Sequence, residues 1–493
     1  MKKILKNVFI PANGNNLCFG DVIFDAKLMG LHLRSTSTIP WSSIDTVKKR
    51  DAFIAANFPS EPAEHRYEAF DGACNIALPG GIDPHVHFNT PGFEEREDFG
   101  HGSLAAACGG VTTVIDMPCT SLPPVTTAGN LKHKRQALKN RSLIDYAFWG
   151  GIGGCMLRNG SDPDTIVQEL HEAGVAGFKV YLLSGMESFA DLTMHEIEKV
   201  ACAVNKTGKV LAVHAEDKQY VLKRQHTFQQ QGLTGWVDYC NARSTEAEVI
   251  AVKNMIRVAK KTGCRIHIVH LSSAPALNLI RKARKSGIGI TTETCPHYLR
   301  FTQEDFTNER ISAFLKTAPP VKDEEDRQTL WEGLRDGSIS FVTTDHAGCD
   351  PKNEKTGKDF WKVYGGIPGV EHRVPHLFSA GFLSGTLTLE QTMQLLSGNA
   401  ADFFGIKSKG HLKKGYDADI CIINPWETRK VKAGEMHSKG RYTPFEGDRF
   451  RGVVKAVFLR GKLIVQTDQQ IKPDYNSGRF ISIQGSISKQ EEE

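Results

Sequence analysis

His85 and His87 stand one residue apart at the end of the run Ile82-Asp83-Pro84-His85-Val86-His87. On a β-strand, residues two apart share a face, so both imidazoles point the same way. An HxH pair alone is a weak motif. Groups of matching chemistry end other apolar runs: His214 in Val213-His214-Ala215-Glu216, His270 in Val269-His270-Leu271-Ser272, and Asp345 in Thr344-Asp345-His346. Lys179 lies inside Gly177-Phe178-Lys179-Val180, where an amine is costly unless paired or modified. Imidazole and carboxylate suit zinc and similar divalent ions. Four histidines, one aspartate and one lysine are thus candidates for one site, if the fold brings their strands together.

The elements that must do so recur along the middle of the chain. Apolar strands are predicted at 82–88, 112–117, 146–150, 177–182, 210–215, 265–271, 288–294 and 340–345, with amphipathic helices between several of them, such as 244–261 and 274–285. Eight strands alternating with helices predict an α/β fold, a (β/α)8 TIM barrel; an open doubly wound sheet is the competing arrangement. Barrel enzymes place their chemistry at the carboxyl ends of the strands, where the four histidines and Asp345 fall, while the fourth strand carries Lys179.

The flanks lack the helical alternation. Residues 1–80 and 411–470 read as strands and turns, and two such segments around one barrel are expected to pair into a small β-sandwich, leaving 81–410 as the barrel. Residues 36–70 read as an irregular insertion without an assigned purpose. Residues 471–493 form a tail, with disorder expected in the polar stretch from Gly485 to the three terminal glutamates.

Composition narrows the function classes. Lys plus Arg is 61 and Asp plus Glu 56, a net charge of +5 over 493 residues with no basic stripe for nucleic acid or an anionic membrane. No run reaches the roughly 18 apolar residues of a membrane span. The eleven cysteines are odd in number and form no CxxC, so a disulfide framework and a zinc finger are not expected and a reducing cytoplasm fits.

The segments PGGIDPHVHF (79–88), GFKVYL (177–182), VHAED (213–217), HIVHLSS (267–273), TETCPHYL (292–299) and TTDHAGCDP (343–351), in this order, resemble the cyclic amidohydrolases: allantoinases, dihydroorotases, dihydropyrimidinases and hydantoinases. The resemblance covers about residues 76–465. It implies two divalent metal ions, zinc foremost, with manganese, cobalt or iron as alternatives. His85, His87 and Asp345 would hold one ion, and His214 and His270 the other. Lys179, carboxylated on its side-chain nitrogen, would bridge them. Asp345 would move the proton from the attacking water to the leaving ring nitrogen. A homotetramer acting on a small cyclic ureide or amide is also implied.

Within that family the segments around Lys179, Thr292 and Tyr364 resemble the allantoinase branch. Asn89 stands where dihydroorotases carry an arginine for the substrate carboxylate, and asparagine offers no charge. Ser184 stands where dihydropyrimidinases carry a tyrosine. Thr90 and Thr120 depart from the allantoinase pattern and leave another hydantoin-like ring as the rival substrate. A non-catalytic assembly protein is the remote rival, opposed by the presence of all six groups. Asn89, Ser184, Thr317 and Gly366 are the substrate-contact candidates. His267 is read as structural, His297 and His346 as supporting, and Cys119 and Cys295 as packing.

Overall fold

The computed structural model describes residues 2–58, 67–467, 469 and 471–484. The eight predicted runs form the strands Gly81–His87, Val111–Asp116, Asp145–Phe148 with Gly150–Gly151, Phe178–Tyr181, Val210–His214, Arg265–Ile268, Ile290–Thr294, and Phe341–Val342 with His346–Ala347. Each pairs in parallel with the next. His346 pairs with Val86, so the eighth strand joins the first and the sheet closes into a barrel. The strands are buried on both faces, which accounts for their near-continuous Val, Ile and Ala content.

The outer helices follow their sequence signals. Thr245–Thr262 buries Ala247, Ala251, Val252, Met255 and Ala259 along one stripe and stops at Gly263, whose φ of 73° only glycine adopts cheaply. Ala274–Lys285 buries Ala276, Leu277, Ile280 and Ala283 against the barrel.

The flanking segments meet in one nine-stranded sheet. Ile420–Lys430 pairs antiparallel with Ile76–Pro79 and joins the C-terminal hairpin to the N-terminal strands. In strand order Asn16–Phe24 lies four places from Arg449–Leu459, yet the Phe24 and Phe458 rings stand 5.5 Å apart. The sheet therefore curls on itself and encloses Leu5, Val22, Ala77, Ile420 and Ile422, giving sandwich-like packing from a single sheet.

The segment read as an irregular insertion holds a helix, Val47–Asn57, capped by the Thr46 hydroxyl. It also carries Trp41, whose ring packs on Phe382 of the barrel region and on Trp426 of the sheet, at 5.2 and 6.0 Å. That contact gives the segment a packing role. Residues 471–484 run along the third barrel strand, where Arg479 and Ile481 bracket Tyr146 by backbone hydrogen bonds and Lys209 Nζ donates to the Ile483 carbonyl. The stretch 485–493, expected to be disordered, lies outside the described residues. No helix among the described residues is long and apolar enough to cross a membrane.

Lys409 fastens the curled sheet to the barrel. Its buried Nζ lies 2.8 Å from Asp145 on the third barrel strand, and 3.0 and 2.6 Å from Asp417 and Asp419 at the sheet. These three carboxylates converge as a metal site would, but Lys409, Arg460 and Lys27 already pair with them. Removing one partner from a buried charge network leaves the others uncompensated. Lys409→Met is expected to lower unfolding free energy by about 3–5 kcal/mol, read as a shift of the urea midpoint; an unchanged midpoint would contradict the role of this cluster.

Candidate metal centre

Four histidines, Asp345 and Lys179 meet at the carboxyl mouth of the barrel. Asp345 Oδ1 lies 3.0 Å from His85 Nε2 and 3.0 Å from His87 Nε2. Across the mouth, His214 Nδ1 lies 3.0 Å from His270 Nε2. The His85 and His270 rings, 5.5 Å apart, link the two halves. Lys179 is 0% exposed, and its Nζ has no hydrogen-bond partner among the described residues. The Tyr181 ring centre lies 4.9 Å from Nζ.

Two backbone features aim these groups. His270 and Asp345 have φ of 40° and 48°, left-handed values uncommon for residues with a Cβ. Each ends regular strand geometry and turns its side chain into the mouth. The same break bears on His267, which is read as structural and lies outside the cluster of His85, His87 and Asp345. Simple alternation sets His267 apart from the ligand set, and the left-handed His270 resets the phase after it. His267 Nε2 lies 3.1 Å from Glu293 Oε2, and Glu293 Oε1 lies 2.5 Å from His85 Nδ1. His267 therefore supports the site through Glu293.

A layer of fixed partners orients the candidates. His214 Nε2 meets Glu216 Oε2 at 2.8 Å, and Arg243 pairs with the same oxygen. Thr120 Oγ1 lies 3.1 Å from His87 Nδ1. Asp83 accepts from the Thr344 hydroxyl at 2.6 Å and from the His85 N–H at 3.2 Å, joining the first and eighth strands. Asp116, held by the buried Lys134, accepts the Phe88 N–H at 2.7 Å. His346 meets Glu97 and accepts from the Val370 N–H, the supporting position expected of it. Cys119 does more than pack: its Sγ lies 3.1 Å from the Tyr181 hydroxyl and 3.8 Å from His87 Nδ1. Glu293 and Glu216 escaped the sequence reading, although each is a carboxylate at an apolar strand end, the signal that singled out Asp345.

The electrostatics fit divalent cations. Burial draws the Lys179 amine down to about 8, within reach of the neutral form that carbon dioxide would carboxylate. Burial alone would protonate Asp345, but His85 and His87 hold its carboxylate ionised, well below the usual range. If His214 Nε2–H donates to Glu216, its Nδ1 presents a lone pair toward His270, whose own Nδ1 is buried and unpartnered. Imidazole nitrogens facing each other, a shared carboxylate and an orphaned amine form a donor set that cations would complete.

The substrate-contact candidates fall into different settings. Asn89 is buried, with φ of 57°, directly after the first strand. Thr317 is buried, and its carbonyl accepts from the Tyr239 hydroxyl at 3.0 Å. A Cβ on Gly366 would lie 2.8 Å from the Ala347 carbonyl, so only glycine fits between the two segments. The Ser184 hydroxyl is engaged locally: it donates to the Phe189 carbonyl at 2.8 Å and accepts from the Met186 N–H at 3.1 Å. Thr90 turns away from the mouth, its Oγ1 accepting from the Phe99 N–H. His297 is buried beside the centre with an unpartnered Nε2.

Supporting carboxylates of this kind are worth about 10–100-fold in metal affinity. Glu293→Gln is expected to weaken metal binding by that factor in chelator competition, with near-wild-type far-ultraviolet circular dichroism. Unchanged affinity would show that Glu293 serves the barrel interior alone.

The model of the amidohydrolase family matches residues 76–464. The chain is 35% identical over 426 residues to the allantoinase of Streptomyces avermitilis, covering 85% of this chain and 90% of that protein. It is 36% identical over 439 residues to the allantoinase of Rubrobacter xylanophilus, covering 87% and 92%. Among solved structures it is similar to an L-hydantoinase (dihydropyrimidinase) from Arthrobacter aurescens, with a TM-score of 0.84, 27% identity and coverage of 97% and 99%. A dihydropyrimidinase from Brevibacillus agri gives a TM-score of 0.84 at 25% identity, covering 98% and 99%.

Proposed function

Because this chain belongs to the amidohydrolase family, we propose that it is a hydrolase of cyclic amide C–N bonds, an allantoinase that opens the hydantoin ring of allantoin to give allantoate in purine breakdown. The observation that carries this reading is the mouth itself: four imidazoles, the Asp345 carboxylate and the unpartnered Lys179 amine within one buried cluster. Relatives named as allantoinases, 33–36% identical over most of the chain, support the choice of ring.

His85, His87 and Asp345 would hold one divalent ion, and His214 and His270 the other. Carboxylated Lys179 would stand between them. Bound divalent ions of this kind, zinc foremost, supply Lewis acidity and lower the pKa of water. The chain's own residues do the rest. Asp345, kept ionised by His85 and His87, accepts the proton of the attacking water and returns it to the ring nitrogen as the C–N bond breaks. The ring carbonyl carbon leaves as a carboxylate, still attached to a ureido chain. Asn89 and the backbone at Thr317 and Gly366 hold the ring. Ser184 contributes through the loop that its hydroxyl organises.

A second reading, a hydantoinase or dihydropyrimidinase acting on another ring, is favoured by Thr120. Its hydroxyl engages His87 directly, at a position where the sequence departs from the allantoinase pattern. A cytoplasmic location belongs to the proposal, supported by eleven free cysteines. A homotetramer belongs to it through the family resemblance.

Metal-loaded enzyme with bicarbonate is expected to turn over allantoin in preference to dihydroorotate, dihydrouracil and hydantoin. Asp345→Asn is expected to lose about 10²–10⁴-fold in kcat, as removal of a general acid–base does. Turnover of another ring with allantoin untouched would keep the mechanism and overturn the substrate.

A further inference from the structure

Two lysines that the mechanism does not use are buried beside the mouth. Lys316 and Lys355 are 4% and 4% exposed, and neither forms an ion pair with a carboxylate among the described residues. Both ammonium groups are spent on main-chain carbonyls instead. Lys316 Nζ donates to Phe360 O at 2.5 Å, to Trp361 O at 3.3 Å and to Val363 O. It also lies 4.6 Å from the Tyr239 ring centre and 5.4 Å from that of Phe360. Lys355 Nζ donates to the Lys316 carbonyl at 3.3 Å, and the Gly366 N–H donates to the same oxygen at 2.9 Å.

The cost of this arrangement is large. Burial pushes both amines down to about 7. Apolar side chains of similar volume are often as stabilising as buried charges, or more so, so packing alone does not call for lysine here. What the two cations achieve is local. One gathers the carbonyls of 360, 361 and 363 to a point. The other pins the peptide that precedes Thr317. Two phenols complete the frame: Tyr239 donates to the Thr317 carbonyl at 3.0 Å, and Tyr442 to the Gly366 carbonyl at 2.9 Å. The Thr317 N–H donates to no protein group among the described residues, although Thr317 is 2% exposed. A buried amide left in that state needs a partner, which a bound carbonyl would supply.

We propose that Lys316 and Lys355 are positioning residues for substrate: clamped on main-chain carbonyls, they fix the Thr317 and Gly366 backbone against which the cyclic ureide is held. The proposal rests on the reading that these two segments face the ring. Since neither lysine touches a metal-ligand candidate among the described residues, the clamp acts on ring binding and not on metal retention.

The test compares Lys316→Met and Lys355→Met with wild type, using the ring turned over best among allantoin, hydantoin and dihydrouracil. A failure on allantoin alone then counts against the choice of ring and leaves the clamp under test. At least one variant is expected to raise KM and the product inhibition constant about tenfold or more, with kcat falling less and metal equivalents per chain unchanged. Unchanged KM in folded variants, or joint loss of metal and kcat at constant KM, would overturn the clamp. Hydrogen exchange on metal-loaded wild type gives a readout free of folding defects. The ureido-acid product is expected to slow exchange about threefold or more in the peptides holding Thr317 and Gly366; no change in either peptide would also overturn it.

Discussion

The structure turns on the burial of the Lys179 amine. A primary amine at 0% exposure, with no hydrogen-bond acceptor among the described residues, is among the least favourable placements a side chain can have. Around it stand groups that want positive charge: the ionised Asp345 and, behind the imidazoles, Glu293 and Glu216. Carboxylation would remove the amine's cost and give the imidazoles a common anionic partner. Divalent cations would then balance the accumulated negative charge. Each feature of the mouth is expensive alone and becomes reasonable only when the centre is complete.

That requirement reaches well into the barrel. The left-handed backbone at His270 and Asp345 is paid for by the hydrogen bonds of Asp83, Thr344 and Glu293, which hold the strand ends in register. Below them lies rigid apolar barrel, and outside stands the sheet riveted by Lys409. The proposed substrate side is built differently. There the backbone of 316–317 and 364–366 is fixed by buried lysines and phenols, with a glycine where two segments approach too closely for a Cβ. On the proposed reading, the metal-ligand candidates and the candidate ring contacts thus rest on separate supports.

Much of this was legible in the sequence because strand periodicity and residue chemistry agreed. Eight apolar runs gave a barrel; His85, His87, His214, His270 and Asp345 fell at strand ends and Lys179 within the fourth strand. Legibility failed where backbone geometry departs from the regular period. The left-handed turns at His270 and Asp345 leave no local signal in the residue pattern. The insertion looked shapeless because its helix is short and its packing depends on Trp426, nearly 400 residues away in sequence. That the Ser184 hydroxyl organises its own loop leaves no mark in the sequence, because its partners are main-chain groups of Met186 and Phe189. The roles of Lys316 and Lys355 were invisible because a lysine's burial is set by distant segments and leaves no local pattern.

The most direct test of the central claim is metal stoichiometry and carbamate content, measured together on wild type and Lys179→Met. Wild type grown with carbon-13 bicarbonate should hold two divalent ions per chain and show a carbamate carbon resonance. Lys179→Met should keep its fold, lose that resonance and hold one ion or fewer. Two ions retained in folded Lys179→Met, or a fully loaded wild type without a carbamate signal, would contradict the account.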